Sequence, residues 1–253
     1  MYGPERQRLI VEEARQVGRV EVTVLAARFD VTSETVRRDL TALERQGLLR
    51  RVHGGAIPVE RLGFEPGLDA RAAAQTDQKE RIAKAALAEL PTEGAILIDA
   101  GTTTGRLAEM LPADRELTVI TNSLPIAMSL SGRPAITLLM IGGRIRGRTL
   151  ATVDAWAQQA LQDTFVDLAF VGTNGISVRR GLTTPDQAEA ATKSAMIAAA
   201  RRTVLLADHT KLGVDHLARF GTLADIDTFI TDADADPELV ADIEASGPTV
   251  VQA

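Results

Sequence analysis

From residue 95 to residue 251 the chain repeats one pattern: a short, continuously apolar run, then a stretch with helical spacing. The runs are 95–98, 117–120, 136–141, 166–171, 204–206, 228–230 and 249–251. A strand wet on one face alternates apolar and polar residues, whereas a strand apolar throughout is covered on both faces. Such strands separated by helices predict an α/β unit with an open, mostly parallel sheet covered by helices. The composition agrees, since aromatic residues are only 3% and the apolar mass is Ala, Leu, Ile and Val.

The pattern does not begin at the N-terminus. Residues 1–58 read instead as a small, all-α, winged-helix domain. The segment 59–78 has no clean period and contains Gly63, Pro66 and Gly67, so it reads as a linker with a short helix near Asp69. The α/β unit then occupies 79–253. Charge divides the same way. The first 58 residues hold ten Arg against eight Asp and Glu, a net of +2, although the whole chain carries −6. A small focal contact with an anionic polymer fits this distribution better than a broad basic surface.

Several function classes are excluded or disfavoured. With no cysteine there is no disulfide, thiolate nucleophile or cysteine zinc site. His53, His209 and His216 lack metal-ligand spacing, and no metal or cofactor is expected. There is no apolar signal core and no run near the roughly 20 residues of a membrane helix, so a cytoplasmic protein is expected.

In the first domain, Leu9, Ile10, Ala14 and Val17 form the expected buried stripe of helix one, and Gly18 stops it. Val22, Leu25, Ala26 and Phe29 form that of helix two, whose start at Glu21 is poorly marked. Thr32 caps a third helix that ends at Gly47. That helix places Val36, Leu40 and Leu43 on one side and Glu34, Arg38, Thr41 and Arg45 on the other, with Arg37 on the flank. A hydroxyl-rich cap and arginines on a free face suit a helix lying in a major groove. Thr32, Ser33, Thr35, Arg37 and Arg38 are the candidate contacts. Residues 48–57 read as a two-stranded wing with Arg51, His53, Gly54 and Gly55 near its tip, the glycines allowing close approach to DNA. Three amphipathic helices and a hairpin also occur without DNA binding. Arg on a solvated face is common, and Glu34 and Asp39 read as structural partners of nearby arginines.

In the second domain the polar loops directly follow the apolar runs. In a parallel sheet they emerge together at the carboxyl edge, where ligands bind. The loop Asp99-Ala100-Gly101-Thr102-Thr103-Thr104 opens a helix, an end that attracts anions. It is neither a phosphate-binding Walker loop nor a dinucleotide loop. Thr102 to Thr104 either hold a phosphate or merely cap the helix, with Gly101 turning the chain. Asn122 either bonds a ligand or only its own turn. Lys193 alone reads as surface decoration. Arg144, Arg146 and Arg148 read as a basic loop or a phosphate clamp, and Lys211 follows a strand edge.

The run Val31-Thr32-Ser33-Glu34-Thr35-Val36-Arg37-Arg38-Asp39-Leu40, followed by Leu43-Glu44 and Arg51-Val52-His53-Gly54-Gly55-Ala56, closely resembles the DeoR/GlpR family of bacterial regulators. The likeness extends through Lys79-Glu80-Arg81-Ile82, 99–104, Thr121-Asn122, Gly142-Gly143, 172–176, 181–185, Lys193 and 208–213. It implies a winged helix on double-stranded operator DNA, repression of a carbohydrate operon, and a homo-oligomer, dimer or tetramer. It also implies an effector domain like the sugar-phosphate isomerases, with a phosphorylated sugar or similar metabolite near Asp99, Thr102, Thr103, Thr104, Asn122, Asn174, Lys193, Arg146 and Lys211. One departure stands out. The family usually has Gly at the position of Asp154, and an acidic side chain there is expected to repel an anionic effector or alter its loop.

The rival reading is an active isomerase, which needs a carboxylate base beside the sugar carbonyl. The loop Gly172-Thr173-Asn174-Gly175 has none. Asp99 and Asp208 remain as possible bases, but the attached DNA-reading domain favours a regulator. A protein-interaction module is a third reading, disfavoured by the polar strand-end loops.

Overall fold

A computed structural model describes residues 3–45, 48–58 and 65–253 of the chain. The expected helix stop at Gly47 and the linker residue Gly63 lie outside the described residues. The chain divides into two compact units, Met1–Ala74 and Gln75–Ala253.

The first unit runs α1 (Gly3–Val17), β1 (Val20–Glu21), α2 (Val22–Phe29), α3 (Ser33–Arg45), β2 (Leu49–Val52), β3 (Gly55–Pro58) and α4 (Leu68–Ala73). Ile10, Val11 and Ala14 of α1, Leu25 and Phe29 of α2, and Val36, Leu40 and Leu43 of α3 close one small core with Leu49 and Ala56. Val11 takes the place assigned to Val17, which is 40% exposed where Gly18, at φ 84°, turns the chain out of the helix. Ala26 and Leu9 are only partly buried against the core. As the sequence suggested, Glu21 makes no side-chain cap at the start of α2. Burying a side chain such as Leu40 contributes about 1.5–3 kcal/mol, so a core this small depends on each member. The wing has three strands, in the order β1-β3-β2, rather than the expected two. Two residues were too few to show β1 in the sequence; it is recruited by pairing Val20 with Ala56 and Glu21 with Gly55.

The second unit opens with α5 (Thr76–Ala86), three residues before Lys79. Then come β4 (Gly94–Ile98), α6 (Thr102–Glu109), β5 (Leu117–Thr121), α7 (Leu124–Leu130) and β6 (Ile136–Met140). A hairpin of β7 (Arg144–Ile145) and β8 (Thr152–Val153) leads to α8 (Ala155–Gln162) and β9 (Val166–Gly172). After β10 (Gly175–Ser177) and β11 (Gly181–Thr184) follow α9 (Gln187–Ala198), β12 (Ala200–Leu206) and β13 (Ala218–Gly221). The chain closes with β14 (Thr228–Thr231), α10 (Pro237–Glu244) and β15 (Thr249–Gln252).

All seven apolar runs pair into one seven-stranded sheet, ordered β15-β14-β12-β9-β4-β5-β6, and every neighbouring pair is parallel. Side chains alternate across it. Ile96, Ile98, Val119, Leu168, Phe170, Val204 and Ile230 pack with α5, α6 and α7. Leu97, Ile120, Ala169, Val171, Leu205 and Phe229 pack with α8, α9 and α10. Both faces are therefore dry, which is why these strands read as unbroken apolar runs. The order also reverses: β4, β5 and β6 step one way, and β9, β12, β14 and β15 step the other. The reversal falls between β4 and β9. At such a switch point the flanking loops diverge and leave a crevice at the carboxyl ends. A small antiparallel sheet, β10-β11-β13, lies beside the main one and was not legible in the sequence.

Candidate nucleic-acid interface and sensor site

Three acids of α3 have three fates. Asp39 is buried and accepts from Arg6 Nε at 2.6 Å and Gln7 Nε2 at 2.9 Å, which locks α3 to α1. Glu44 accepts the Arg51 backbone N–H at 2.9 Å and so holds β2. Glu34 is exposed, 3.7 Å from both Arg37 and Arg38. At the N-terminus Thr32 Oγ1 accepts the Thr35 N–H at 3.2 Å and lies 2.9 Å from the Thr35 hydroxyl. Thr32 and Thr35 are thus bonded to each other, with Ser33 between them. A concavity on the outer side of α3 is lined by Glu34, Arg37, Arg38, Thr41, Ala42, Arg45 and Arg51. Arg51 reaches across it to Thr41 Oγ1 at 3.3 Å. The sequence left Arg45 out of the candidate contacts, yet it shares this surface.

At the wing tip Arg19 Nη2 donates to the His53 carbonyl at 2.9 Å. Gly54 is exposed at φ 72°, a left-handed conformation that favours glycine. Gly55 is different: it is buried, and a Cβ there would lie 2.0 Å from the Val20 carbonyl oxygen. Pairing with β1 by itself requires a glycine at this position.

The second site forms at the switch point. Asp99, after β4, is 1% exposed and accepts from Lys193 Nζ of α9 and from the Gly172 N–H at 3.0 Å. Lys193 Nζ also donates to the Gly172 carbonyl at 3.0 Å and lies 5.4 Å from the centre of the Phe220 ring. One turn before Lys193, Glu189 is 5% exposed. It takes Arg146 Nη1 at 2.7 Å, Thr149 Oγ1 at 2.6 Å and Thr184 Oγ1 at 3.4 Å. Arg146 also meets Asp186 at 3.3 Å, and Thr184 Oγ1 lies 3.1 Å from Asn174 Oδ1. Asp99 with Lys193, and Glu189 with Arg146, Thr184 and Asn174, thus form two neighbouring parts of one charge network, coupled through the charges of Lys193 and Glu189. Burial pushes the Asp99 carboxyl above its ordinary range, opposed by the Lys193 charge and the Gly172 N–H. Burial acts the same way on Glu189, but Lys193, the Thr149 hydroxyl and Arg146 outweigh it and hold that carboxyl low.

Glu189 was missed because Glu and Lys four apart on a helix normally mark a solvated ion pair. Only burial distinguishes this one.

The α6 loop sits alongside. Thr104 Oγ1 is fully buried and donates to the Asp99 carbonyl at 2.7 Å. Gly101 has an extended φ of −173°, so no tight turn demands glycine. Crowding does, since a Cβ would sit 2.8 Å from Thr104 Oγ1. Thr102 and Thr103 occupy the first turn of α6, Thr103 at 8% exposure. Asn122 accepts the Ala100 N–H at 2.9 Å and donates to the Thr152 carbonyl at 3.2 Å, so both ends of its amide hold neighbouring loops. Lys211 lies apart from the network, in the turn His209–Lys211. There burial raises the Asp208 carboxyl, but Lys211, the Thr210 hydroxyl and Lys79 together hold it low.

Beside that turn His209 Nδ1 is 2.8 Å from Asp232 Oδ1, with Asp234 close enough to complete a group of three potential metal ligands. Their atoms are engaged within the fold: Asp232 accepts the His209 and Asp234 N–H groups, and Asp234 accepts from Gln78. Among the described residues no helix is long and apolar enough to cross a membrane.

Asp154 has φ 77° and ψ −169°, a backbone conformation that favours glycine. Its carboxylate is 42% exposed and pairs with Arg144.

A first unit in which three helices and a wing close one core, with arginines lining α3, followed by an α/β unit with a charge network where the strand order reverses, defines a two-part DNA-binding regulator with a sensor. Residues 6–61 match the DeoR-like helix-turn-helix domain, and residues 74–233 match the DeoR C terminal sensor domain. The chain belongs to the DeoR family of transcriptional regulators. It is 38% identical to the HTH-type transcriptional regulator GlpR of Haloferax volcanii, over 99% of this chain and 98% of that one. It is 32% identical to the Glycerol-3-phosphate regulon repressor of Escherichia coli strain K12, over 92% of each. Among solved structures, ribose 5-phosphate isomerase A of Methanocaldococcus jannaschii covers 55% of each chain at 18% identity and a TM-score of 0.41.

Proposed function

We propose that this regulator is a repressor of a carbohydrate operon whose operator affinity changes when a phosphorylated sugar or polyol binds the second unit. The residues through position 58 read DNA, 59–78 join the two parts, and the rest senses. Arg37 and Arg38 carry the contact with the duplex, and Arg51, His53 and Gly54 add the wing. Thr32, Ser33 and Thr35 present the helix N-terminus, whose free N–H groups suit a phosphate.

The charge network at the switch point carries the sensing half. It contains three carboxylates, Asp99, Glu189 and Asp186, against two cations, Lys193 and Arg146. Its cations are already neutralised, so the hydroxyl groups of a ligand suit it better than a phosphate does. The anionic end of the ligand belongs at the start of α6, beside Gly101, Thr102 and Thr103. Asn122 and Thr104 shape that loop, Asn174 adds a polar wall, and Lys211 supplies positive charge at the rim.

The same geometry disfavours isomerase chemistry. A general base needs a carboxyl poised near the working pH. Glu189 and Asp208 are held low, and Asp99, although burial raises it, is engaged by Lys193 and the Gly172 N–H. A homo-oligomer places two recognition helices on half-sites about 34 Å apart or a multiple of that. A coupling of about 1–3 kcal/mol between ligand and operator gives a 5- to 150-fold change in affinity. Fluorescence anisotropy on operator DNA, with and without a panel of phosphorylated sugars and polyols, tests the reading. An affinity unmoved by every member, together with isomerase turnover by the purified protein, rejects it.

A further inference from the structure

We propose that Glu34 is a specificity-determining residue: its carboxylate accepts a hydrogen bond from the exocyclic amine of a cytosine in the major groove. The proposal rests on the reading of α3 as the helix that enters that groove.

The contrast among the acids of α3 motivates it. Asp39 is consumed by the α1 contact and Glu44 by the wing. Glu34 has no hydrogen bond to the fold among the described residues. Its nearest partners are two guanidinium groups that are themselves exposed, at 3.7 Å, beyond hydrogen-bond reach. Among the described residues it is also the sole acid lining a concavity that carries Arg37, Arg38, Arg45 and Arg51. A carboxylate on a surface meant for phosphates repels them and weakens binding to any duplex. An acid in the first turn does favour the helix dipole, by a small amount. That same end, however, is where the free N–H groups suit a phosphate, and the carboxylate weakens that contact.

A hydrogen bond to a base edge would offset that repulsion and add selectivity, which the small dipole contribution does not. Recognition-helix residues near the N-terminus contact base edges. Among major-groove edges, the cytosine amine is the donor that Glu and Asp accept from, while Arg pairs with guanine. Glu34 flanked by Arg37 and Arg38 therefore fits a step that places cytosine beside guanine. Away from the operator, the same carboxylate shields the two arginines from unselective phosphate contact.

The test compares the full-length wild type, Glu34→Gln, Glu34→Ala and Arg38→Ala on the operator, on a random duplex and on a library randomised at each operator position. Glu34 is exposed, so its variants should fold, and thermal melting checks this. Glu34→Ala is expected to lower the ratio of operator to random affinity by about tenfold, with random-duplex binding unchanged or tighter. Glu34→Gln is expected to move the preference at one position from cytosine to adenine, which Gln pairs with. An unchanged ratio for both Glu34 variants, with Arg38→Ala still defective, overturns this inference and leaves the recognition helix standing. Normal operator binding by Arg38→Ala removes both.

Discussion

The two halves of this protein spend the same residue types in opposite ways. On α3, Arg37 and Arg38 stand 53% and 81% exposed, 3.7 Å from Glu34. In the second unit Arg146 and Glu189 meet at 2.7 Å with 13% and 7% of their side chains exposed. Ion pairs in water contribute about 0–1 kcal/mol. A surface so weakly self-paired is free to exchange its partners for a polyanion at little cost. A buried pair is different, because removing one partner strands a charge away from water. One region is exposed and loosely self-paired, and the other holds its shape through ion pairs largely removed from water.

The sharpest way to break the contrast is Lys193→Met. It leaves Asp99 fully buried without its cation, and should cost about 3–5 kcal/mol of stability in urea denaturation. Adding Asp99→Asn should restore part of the loss. A single mutant as stable as wild type would mean that the pair is not sealed from water.

Arg38→Ala should act the other way. The melting temperature stays put while operator affinity falls by about 1–3 kcal/mol. Salt titration would show the slope reduced by about one unit if the lost contact was to phosphate.

Asp154→Gly sharpens the comparison from the side of strain. Its backbone occupies a region essentially restricted to glycine, costing of order 1–3 kcal/mol. The side chain it would lose makes only an exposed pair with Arg144. Net stabilisation by about 1 kcal/mol is expected, read as a raised denaturation midpoint.

The smallest effect concerns pH. Asp208 is held below its ordinary value of 3.8 chiefly because Lys211 and the Thr210 hydroxyl overcome the penalty of burial. The folded state then binds fewer protons than the unfolded state. The resulting stability is present above pH 3.8 and is lost as pH falls through the lower folded value. Asp208→Asn should flatten the acid limb of the stability profile without moving the neutral plateau relative to its own baseline. Asp99, pushed upward by burial, contributes with the opposite sign.

Much of the architecture was legible in the sequence because burial on both faces writes itself into composition. The seven runs that were predicted as strands all joined the main sheet. Likewise Val36, Leu40 and Leu43 marked the inner side of α3 by helical spacing alone. Short antiparallel strands such as β1 and β10 carry no such signature. They contain two or three residues and are stabilised by pairing rather than by period.

Side-chain identity could nominate Asp99 and Lys193, but not join them, because they are 94 positions apart and meet only where the strand order reverses. Glu189 could not be nominated at all, since its i,i+4 spacing to Lys193 looks the same on a wet helix as on a dry one. At Gly55 and Gly101 a Cβ would meet the Val20 carbonyl oxygen and the Thr104 hydroxyl, neighbours that local sequence does not reveal. By itself, then, the order of residues determined which elements form and which of their sides are dry, because hydrophobic periodicity is a local property. Only the tertiary structure decided which charges lose their water, because that depends on atoms brought together from distant parts of the chain.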